Sequence, residues 1–377
     1  MKLLFVNGSR GEWGYIRPII RRCETIGIDY SICATNMLLL PSHGSLVDEI
    51  RRDGFHVDDE IYMALEGSNH YSMAKSLGIF LTSFVDVLSR HKPTWIVLAG
   101  DRGEQLIGSI VGAYTYTPVA HIQAGERSGN IDGTSRHAIG KFAHLHFAAN
   151  NDAEARLIKL GEEPFRVHNV GAPQLDELRD GVVSSREELF REFKIHDEAP
   201  FLLVVQHPVT EEMGSAAAQA EVLVRSLSAF ETQKIWIMPN NDAGSTALRR
   251  VLLQNRRSDT QVFANLSRRN YLGLLKHCQA IVGNSSSGLL EAPTFSVPAV
   301  NLGRRQENRV QGINVINAEF SVEDCIAAIK LAISPEFRKK IFGESNPYGD
   351  GNSSQRIIDI LRRTPIDDKL LIKRLVY

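Results

Sequence analysis

The sequence predicts an α/β protein made of two doubly wound halves facing each other across a cleft. Short apolar runs, the length of buried strands, alternate with amphipathic stretches of helical period. The alternation breaks over the charged, helix-prone segment Asp176 to Pro200 and then restarts, which predicts domains at 1–175 and 176–352. Polar clusters rich in glycine follow several of the apolar runs. In open α/β sheets that is where ligands bind, beyond the carboxyl ends of the strands.

The elements of the first half follow from its period. Leu3 to Val6 is apolar and reads as a strand, Tyr15 to Gly27 as a helix and Asp29 to Ala34 as a strand. Gly44 to Asp53 and Met73 to His91 read as helices, Trp95 to Ala99 as a strand and Glu104 to Tyr114 as a helix. Val119 to Ile122 is a strand that opens into a polar loop, with a helix from Ala138 to His144. Leu145 to Ala149 and Arg166 to Val170 are further strands, with the helix Asp152 to Leu160 between them.

The second half repeats the pattern. Strands are expected at Phe201 to Val205, Lys234 to Met238, Val262 to Asn265, Ala280 to Gly283 and Pro298 to Leu302. Helices are expected at Ala216 to Phe230, Ser245 to Leu253, Tyr271 to His277, from Gly288, and at Asp324 to Ile333 and Ser354 to Arg363. The tail from Ile366 to Tyr377 is compatible with helix and has no evident use. Two such halves are Rossmann-like.

Composition narrows the function. The chain has 377 residues, 43% hydrophobic and 23% charged, with a net charge of -1. That balance argues against nucleic-acid and membrane-surface partners, so an anionic ligand needs local cations. Cys23, Cys33, Cys278 and Cys325 are widely spaced and form no Cys-x-x-Cys, so neither a metal site nor a disulfide framework is expected. The first apolar run is too short for a signal-peptide core, and no run is read as reaching transmembrane length. A reducing cytoplasm is the expected location.

The candidate chemistry sits in the clusters that follow strands. Between Ala120 and His137, His121, Glu126, Asp132, Arg136 and His137 crowd a strand end with three glycines. Gly8-Ser9-Arg10-Gly11 between a strand and a helix offers backbone N–H groups and a cation to a phosphate. A tight turn with a solvated Arg10 explains the same residues. Gly100-Asp101-Arg102-Gly103 places a carboxylate and a guanidinium together, although Asp101 could simply cap the next helix. Gln206-His207-Pro208 puts a titratable imidazole at a strand end of the second half. Gly283-Asn284-Ser285-Ser286-Ser287-Gly288 supplies hydroxyls and N–H groups for a diphosphate, Glu291 could accept from a ribose, and Arg304 or Arg305 could fork onto phosphate.

With these blocks in order along nearly the whole chain, the sequence resembles the UDP-N-acetylglucosamine 2-epimerase family. It is most similar to the hydrolysing branch used in sialic and legionaminic acid synthesis. The resemblance rests on Gly100-Asp101-Arg102, His121 to His137, Gln206 to Thr210, Pro239 to Ser245, Gly283 to Ser286 with Glu291, Asn301 to Arg305, and Pro347 to Asn352. It implies a GT-B fold whose C-terminal helix, 353–377, rejoins the first domain. It implies that the first domain carries the sugar chemistry and the second the nucleotide. Arg10 and Arg102 then match diphosphate or sugar contacts, and Asn240, Asp242, Ser285, Ser286, Glu291 and Arg305 match nucleotide contacts. Asp101, Asp132 and His207 match catalytic positions. Many relatives, chiefly non-hydrolysing ones, have Glu where this chain has Gln123; either Glu126 covers that role, or Gln123 only orients the sugar, or activity is impaired.

The reaction implied is loss of nucleoside diphosphate from C1 coupled to loss of the C2 proton, then hydration of the resulting glycal to a free manno-configured sugar. The substrate expected is UDP-N-acetylglucosamine or its 2,4-diacetamido-2,4,6-trideoxy counterpart, with no cofactor. The protein is expected to be a homodimer or homotetramer. The competing readings are a non-hydrolysing 2-epimerase and a GT-B glycosyltransferase.

Overall fold

The structure is a computed structural model that describes residues 1–40, 47–65, 70–127, 131–179, 181, 183–195, 200–239, 244–264, 266–374 and 376. The chain forms two compact units. Unit 1 is Met1–Glu177 with Tyr348–Tyr377, and unit 2 is Leu178–Pro347.

Unit 1 holds a parallel sheet of seven strands: β1 (Lys2–Asn7), β2 (Asp29–Thr35), β3 (Asp59–Ile61), β4 (Trp95–Ala99), β5 (Val119–Ala124), β6 (Leu145–Ala148) and β7 (Val167–Asn169). The order is β3-β2-β1-β4-β5-β6-β7, so the direction of winding reverses between β1 and β4. All five residues of β4 and all six of β5 are buried, as expected of a sheet covered on both faces. One layer packs Ile16, Ile19 and Ile20 of the helix Arg10–Ile26 with Ile357, Ile358 and Leu361 of the returning helix Ser353–Arg363. Asp176 fastens that return: its carboxylate accepts the Ser353 and Ser354 N–H groups at 3.0 and 2.7 Å. These are first-turn amides that otherwise lack partners.

The helix His70–His91 corrects one expectation. By length and composition alone, its stretch Tyr71–His91 is long and apolar enough to cross a membrane. Here Phe80, Phe84, Val87 and Leu88 pack against Leu4, Val6 and Ile96 of the sheet, so one stripe of the helix belongs to the core of unit 1, while Tyr71, Met73 and Val85 are exposed.

Unit 2 holds a parallel sheet of six strands: β8 (Phe201–Val205), β9 (Gln233–Ile237), β10 (Thr260–Phe263), β11 (Ala280–Gly283), β12 (Ala299–Leu302) and β13 (Val315–Ala318). The order is β10-β9-β8-β11-β12-β13, and the winding reverses between β8 and β11. Its core joins Leu202, Val204 and Val282 to Ala220 and Leu223 of the helix Ala216–Leu227 and to Cys325 and Ile329 of the helix Val322–Ile333 in one cluster. The four cysteines are buried and free.

Candidate functional site

In each unit the polar clusters fall beside the point where the winding reverses. In unit 1, β1 runs into Gly8-Ser9-Arg10 and β4 into Gly100-Asp101-Arg102. Ser9 caps the helix Arg10–Ile26 in a reciprocal box with Glu12, whose carboxylate accepts the N–H groups of Gly8 and Ser9. Glu104 lies behind this loop, and a Cβ on Gly8 would fall 1.9 Å from its Oε1, so any side chain there would have to displace the Glu104 carboxylate. Asn36 holds the other Glu104 oxygen at 3.1 Å, and Arg102 Nε stands 3.4 Å from Oε1. Burial first, then the neighbouring Glu104 carboxylate, pushes Glu12 well above the ordinary carboxylate range; Arg102 and the Gly8 N–H pull against this. Glu12 and Glu104, which sequence reasoning missed, therefore set the charge beneath the loop. The only signal for Glu12 was its spacing of three from Ser9.

Arg10 opens its helix with a half-exposed guanidinium, its Nε 4.0 Å from Glu49. Asp101 does not cap the helix Gly103–Tyr114, because the cap position falls on Arg102. Its carboxylate pairs instead with the guanidinium of Arg136, on the helix Ile131–Phe142. That helix begins earlier than expected, so Asp132 lies in its first turn and not in a loop.

β5 ends in a bulge between Ile122 and Ala124, and Gln123 takes a positive φ of 61°. For a residue with a Cβ that conformation is uncommon, and bulges re-aim side chains. The Gln123 amide donates to Gln174 Oε1 at 3.3 Å, inside the fold. Glu126 is 3% exposed and accepts from Asn150 Nδ2. Asn150 in turn caps the helix Asn151–Lys159, so Glu126 is built into the wall of the loop. His121 is wholly buried; its Nε2–H donates to the Gly100 carbonyl at 2.7 Å, and burial lowers it to about 3. A neutral ring thus pins the backbone next to Asp101.

In unit 2, Asn284 is the hub. Its side chain bridges β8 and β11, accepting the His207 N–H and donating to the His207 carbonyl, each at 2.8 Å. Its own carbonyl accepts Arg305 at 3.1 Å and Gln306 at 2.9 Å. Asn284 therefore positions His207 through its side chain and Arg305 through its backbone carbonyl. Gly283, just before it, has φ 131°, and a Cβ there would lie 2.2 Å from the Val205 carbonyl oxygen. Ser285 Oγ accepts the Ser287 N–H at 3.3 Å, while Ser286 fills the cap position of the short helix Ser287–Leu290 without a side-chain capping bond. Glu291 is buried and accepts from Arg268 at 2.8 Å. Burial, with Glu291 beside it, pushes the Tyr271 hydroxyl up to about 12. Asn240 and Asp242 lie outside the described residues. Among the described residues no cluster of three His, Cys, Asp or Glu is placed to hold a metal ion.

Solved structures share this architecture. The chain superposes on UDP-GlcNAc 2-epimerase from Neisseria meningitidis bound to UDP-GlcNAc with a TM-score of 0.84 at 20% identity, covering 97% of this chain and 100% of that one. For the Methanocaldococcus jannaschii UDP-GlcNAc 2-epimerase in complex with UDP-GlcNAc and UDP the TM-score is 0.79 at 22% identity, covering 97% and 100%. Two parallel-sheet units with ligand-type loops at their reversal points place the protein in the GT-B class.

The sequence model of UDP-N-acetylglucosamine 2-epimerase matches residues 21–362. A Legionella pneumophila protein, UDP-N,N'-diacetylbacillosamine 2-epimerase (hydrolyzing), is 33% identical over 100% of this chain and 99% of its own length. The chain belongs to the UDP-N-acetylglucosamine 2-epimerase family.

Proposed function

We propose that this protein is a hydrolysing nucleotide-sugar 2-epimerase. Its substrate is a UDP-linked 2-acetamido sugar, UDP-N-acetylglucosamine or UDP-2,4-diacetamido-2,4,6-trideoxyglucose. The observation that carries this reading is the full-length similarity to a hydrolysing relative, joined to a carboxylate–guanidinium pair, Asp101 and Arg136, at the reversal point of unit 1.

No carbonyl adjoins C2 of the sugar, so its proton is not acidic. Elimination removes the difficulty: a carboxylate takes the C2 proton, the C1–O bond breaks, and its electron pair leaves with UDP. Water then adds to C1 of the glycal while C2 is reprotonated from the opposite face. UDP and a free manno-configured sugar result, the sugar entering nonulosonic acid synthesis.

Asp101, Glu126 and Asp132 are the acid–base candidates. Of the first two, Asp101 is the better placed, because its carboxylate keeps some exposure beside Arg136 whereas Glu126 is buried against Asn150 at the wall of the loop. Arg10 and Arg102 contact the diphosphate or sugar, with Gln123 orienting the latter. His207 and Arg305 stabilise the departing diphosphate, and Asn240, Asp242, Ser285, Ser286 and Glu291 hold the nucleotide. Four reduced, buried thiols support a cytoplasmic setting, and exposed Tyr71, Met73, Tyr114 and Tyr116 support a homo-oligomer.

Turnover of UDP-N-acetylglucosamine in heavy water, read by NMR, tests the reading. Deuterium at C2 of a free manno-configured sugar is expected. Release of UDP-linked product would make the enzyme non-hydrolysing, retention of the C2 proton would exclude elimination, and turnover only with an added acceptor would make it a glycosyltransferase.

A further inference from the structure

The C-terminal tail is fastened far more firmly than an idle end requires. Asp367 caps the short helix Asp368–Leu371, and Leu370 is buried in the core of unit 1. Arg166, with no exposed surface, donates to the carbonyls of Leu370 and Lys369, each at 2.7 Å, and so satisfies the groups that a helix end leaves orphaned. These contacts suffice to dock the tail. The chain nevertheless continues to Lys373, whose Nζ donates to the Gly140 carbonyl at 2.6 Å and pairs with Glu162 Oε2 at 2.6 Å. Glu162, 1% exposed, also holds Lys141 Nζ at 2.9 Å and His146 Nε2 at 3.1 Å. Gly140 and Lys141 belong to the last turns of the helix Ile131–Phe142. One turn earlier that helix carries Arg136, the partner of Asp101.

We propose that the C-terminal tail braces this helix, with Lys373 and Glu162 as positioning residues that set where Arg136, and through it Asp101, stand. The physics is that of a cation at a helix C-terminus: Lys373 meets a carbonyl of the last turns where the helix dipole is negative. Through Glu162 the same ammonium reaches Lys141, so the end of the helix is gripped at two successive residues. The contact is buried, so solvent screens it little. A small shift at the end of a rigid helix is carried to Arg136, and a displacement of about 1 Å in a reacting group lowers turnover by about a hundredfold. This extends the epimerase reading, since the site it tunes is the one proposed above.

The test compares the full-length wild type with Lys373→Met and Lys373→Arg, by hydrogen exchange and by steady-state kinetics on UDP-N-acetylglucosamine well below the unfolding temperature. In Lys373→Met, exchange over 131–142 is expected to rise about tenfold with 10–26 unchanged. There kcat falls about tenfold while KM moves less than twofold, and Lys373→Arg restores most of both. Unchanged exchange over 131–142, an equal rise throughout unit 1, or faster exchange with an unaltered kcat would each overturn the brace. If the wild type turned over no nucleotide sugar, the epimerase reading would fall, and the exchange pattern with its rescue by arginine would still decide the brace.

Discussion

Unit 1 is predicted to lose stability steeply in mild acid, because it buries three neutral imidazoles whose protonated forms the fold rejects. Burial is the main cause in each: it lowers His121 to about 3 and His144 and His146 to about 4, from an ordinary 6.5. The bonding is consistent with this. His144 Nδ1 accepts the Val119 N–H at 3.0 Å and must stay unprotonated to do so. His121 and His146 spend Nε2–H on the Gly100 carbonyl and on Glu162, and their buried Nδ1 atoms have no hydrogen-bond partner among the described residues.

The sign follows from linkage. Between pH 6.5 and about 4.5 the unfolded chain binds these three protons and the folded one does not, so stability falls as the pH is lowered. Glu12 opposes them, since its raised carboxyl takes up a proton in the folded state above the unfolded value of 4.5. Each of the three imidazoles contributes about 1.4 kcal/mol per pH unit, Glu12 subtracts, and His137 and His168, also lowered by burial, add in the same sense, so the slope is on the order of 3 kcal/mol per pH unit. Over two units that is about 6 kcal/mol, comparable with the whole stability of an ordinary domain.

Urea unfolding in a Trp236→Phe background, where Trp13 and Trp95 report unit 1 alone, measures this slope at pH 7, 6 and 5. His144→Asn keeps an acceptor for Val119, and His121→Gln keeps a donor for Gly100, so each should flatten the slope by about 1.4 kcal/mol per pH unit. A flat or inverted profile, or a slope indifferent to both replacements, would refute the reasoning.

Asp101→Asn should lower kcat by a hundredfold or more with UDP affinity retained, whereas Glu126→Gln, which keeps an acceptor for Asn150, should lose less than about tenfold; steady-state rates and calorimetric UDP titration separate the two. Asn284→Ala removes the bridge to both backbone groups of His207, and is expected to weaken UDP binding and to destabilise unit 2 by about 2 kcal/mol, read from Trp236 fluorescence in urea. Gly283→Ala should destabilise unit 2 by at least about 2 kcal/mol in the same assay, because φ 131° and the Val205 carbonyl both reject a Cβ.

The strands most visible in the sequence are those buried on both faces. Trp95–Ala99 and Phe201–Val205 are unbroken apolar runs and lie inside their sheets. β3 and β13 escaped notice, although the opposite edge strands β7 and β10 did not, because of their composition. Asp59-Glu60-Ile61 has two charges in three residues, and Val315–Ala318 contains Asn317, so neither gives a period to read. The early start of the helix Ile131–Phe142 was hidden by Gly133 and by the polar residues around it, which read as loop when propensity alone is weighed.

The site divides along the same line. Residues at strand ends announce themselves, since a strand must stop and the residue types that follow are few. Residues that hold those residues do not. Glu104, Asn284, Gln174 and Lys373 act on partners 68, 77, 51 and 233 positions away, and no local spacing encodes such a pairing. Sequence order thus exposes the groups that face a ligand, and only the fold exposes the groups that aim them. That asymmetry has a physical origin. A ligand-facing loop is shaped by local needs, a positive φ or a free N–H, which single residues satisfy. An aiming contact is buried, so both partners must be present at once, and the energy of leaving one unpaired belongs to neither position alone.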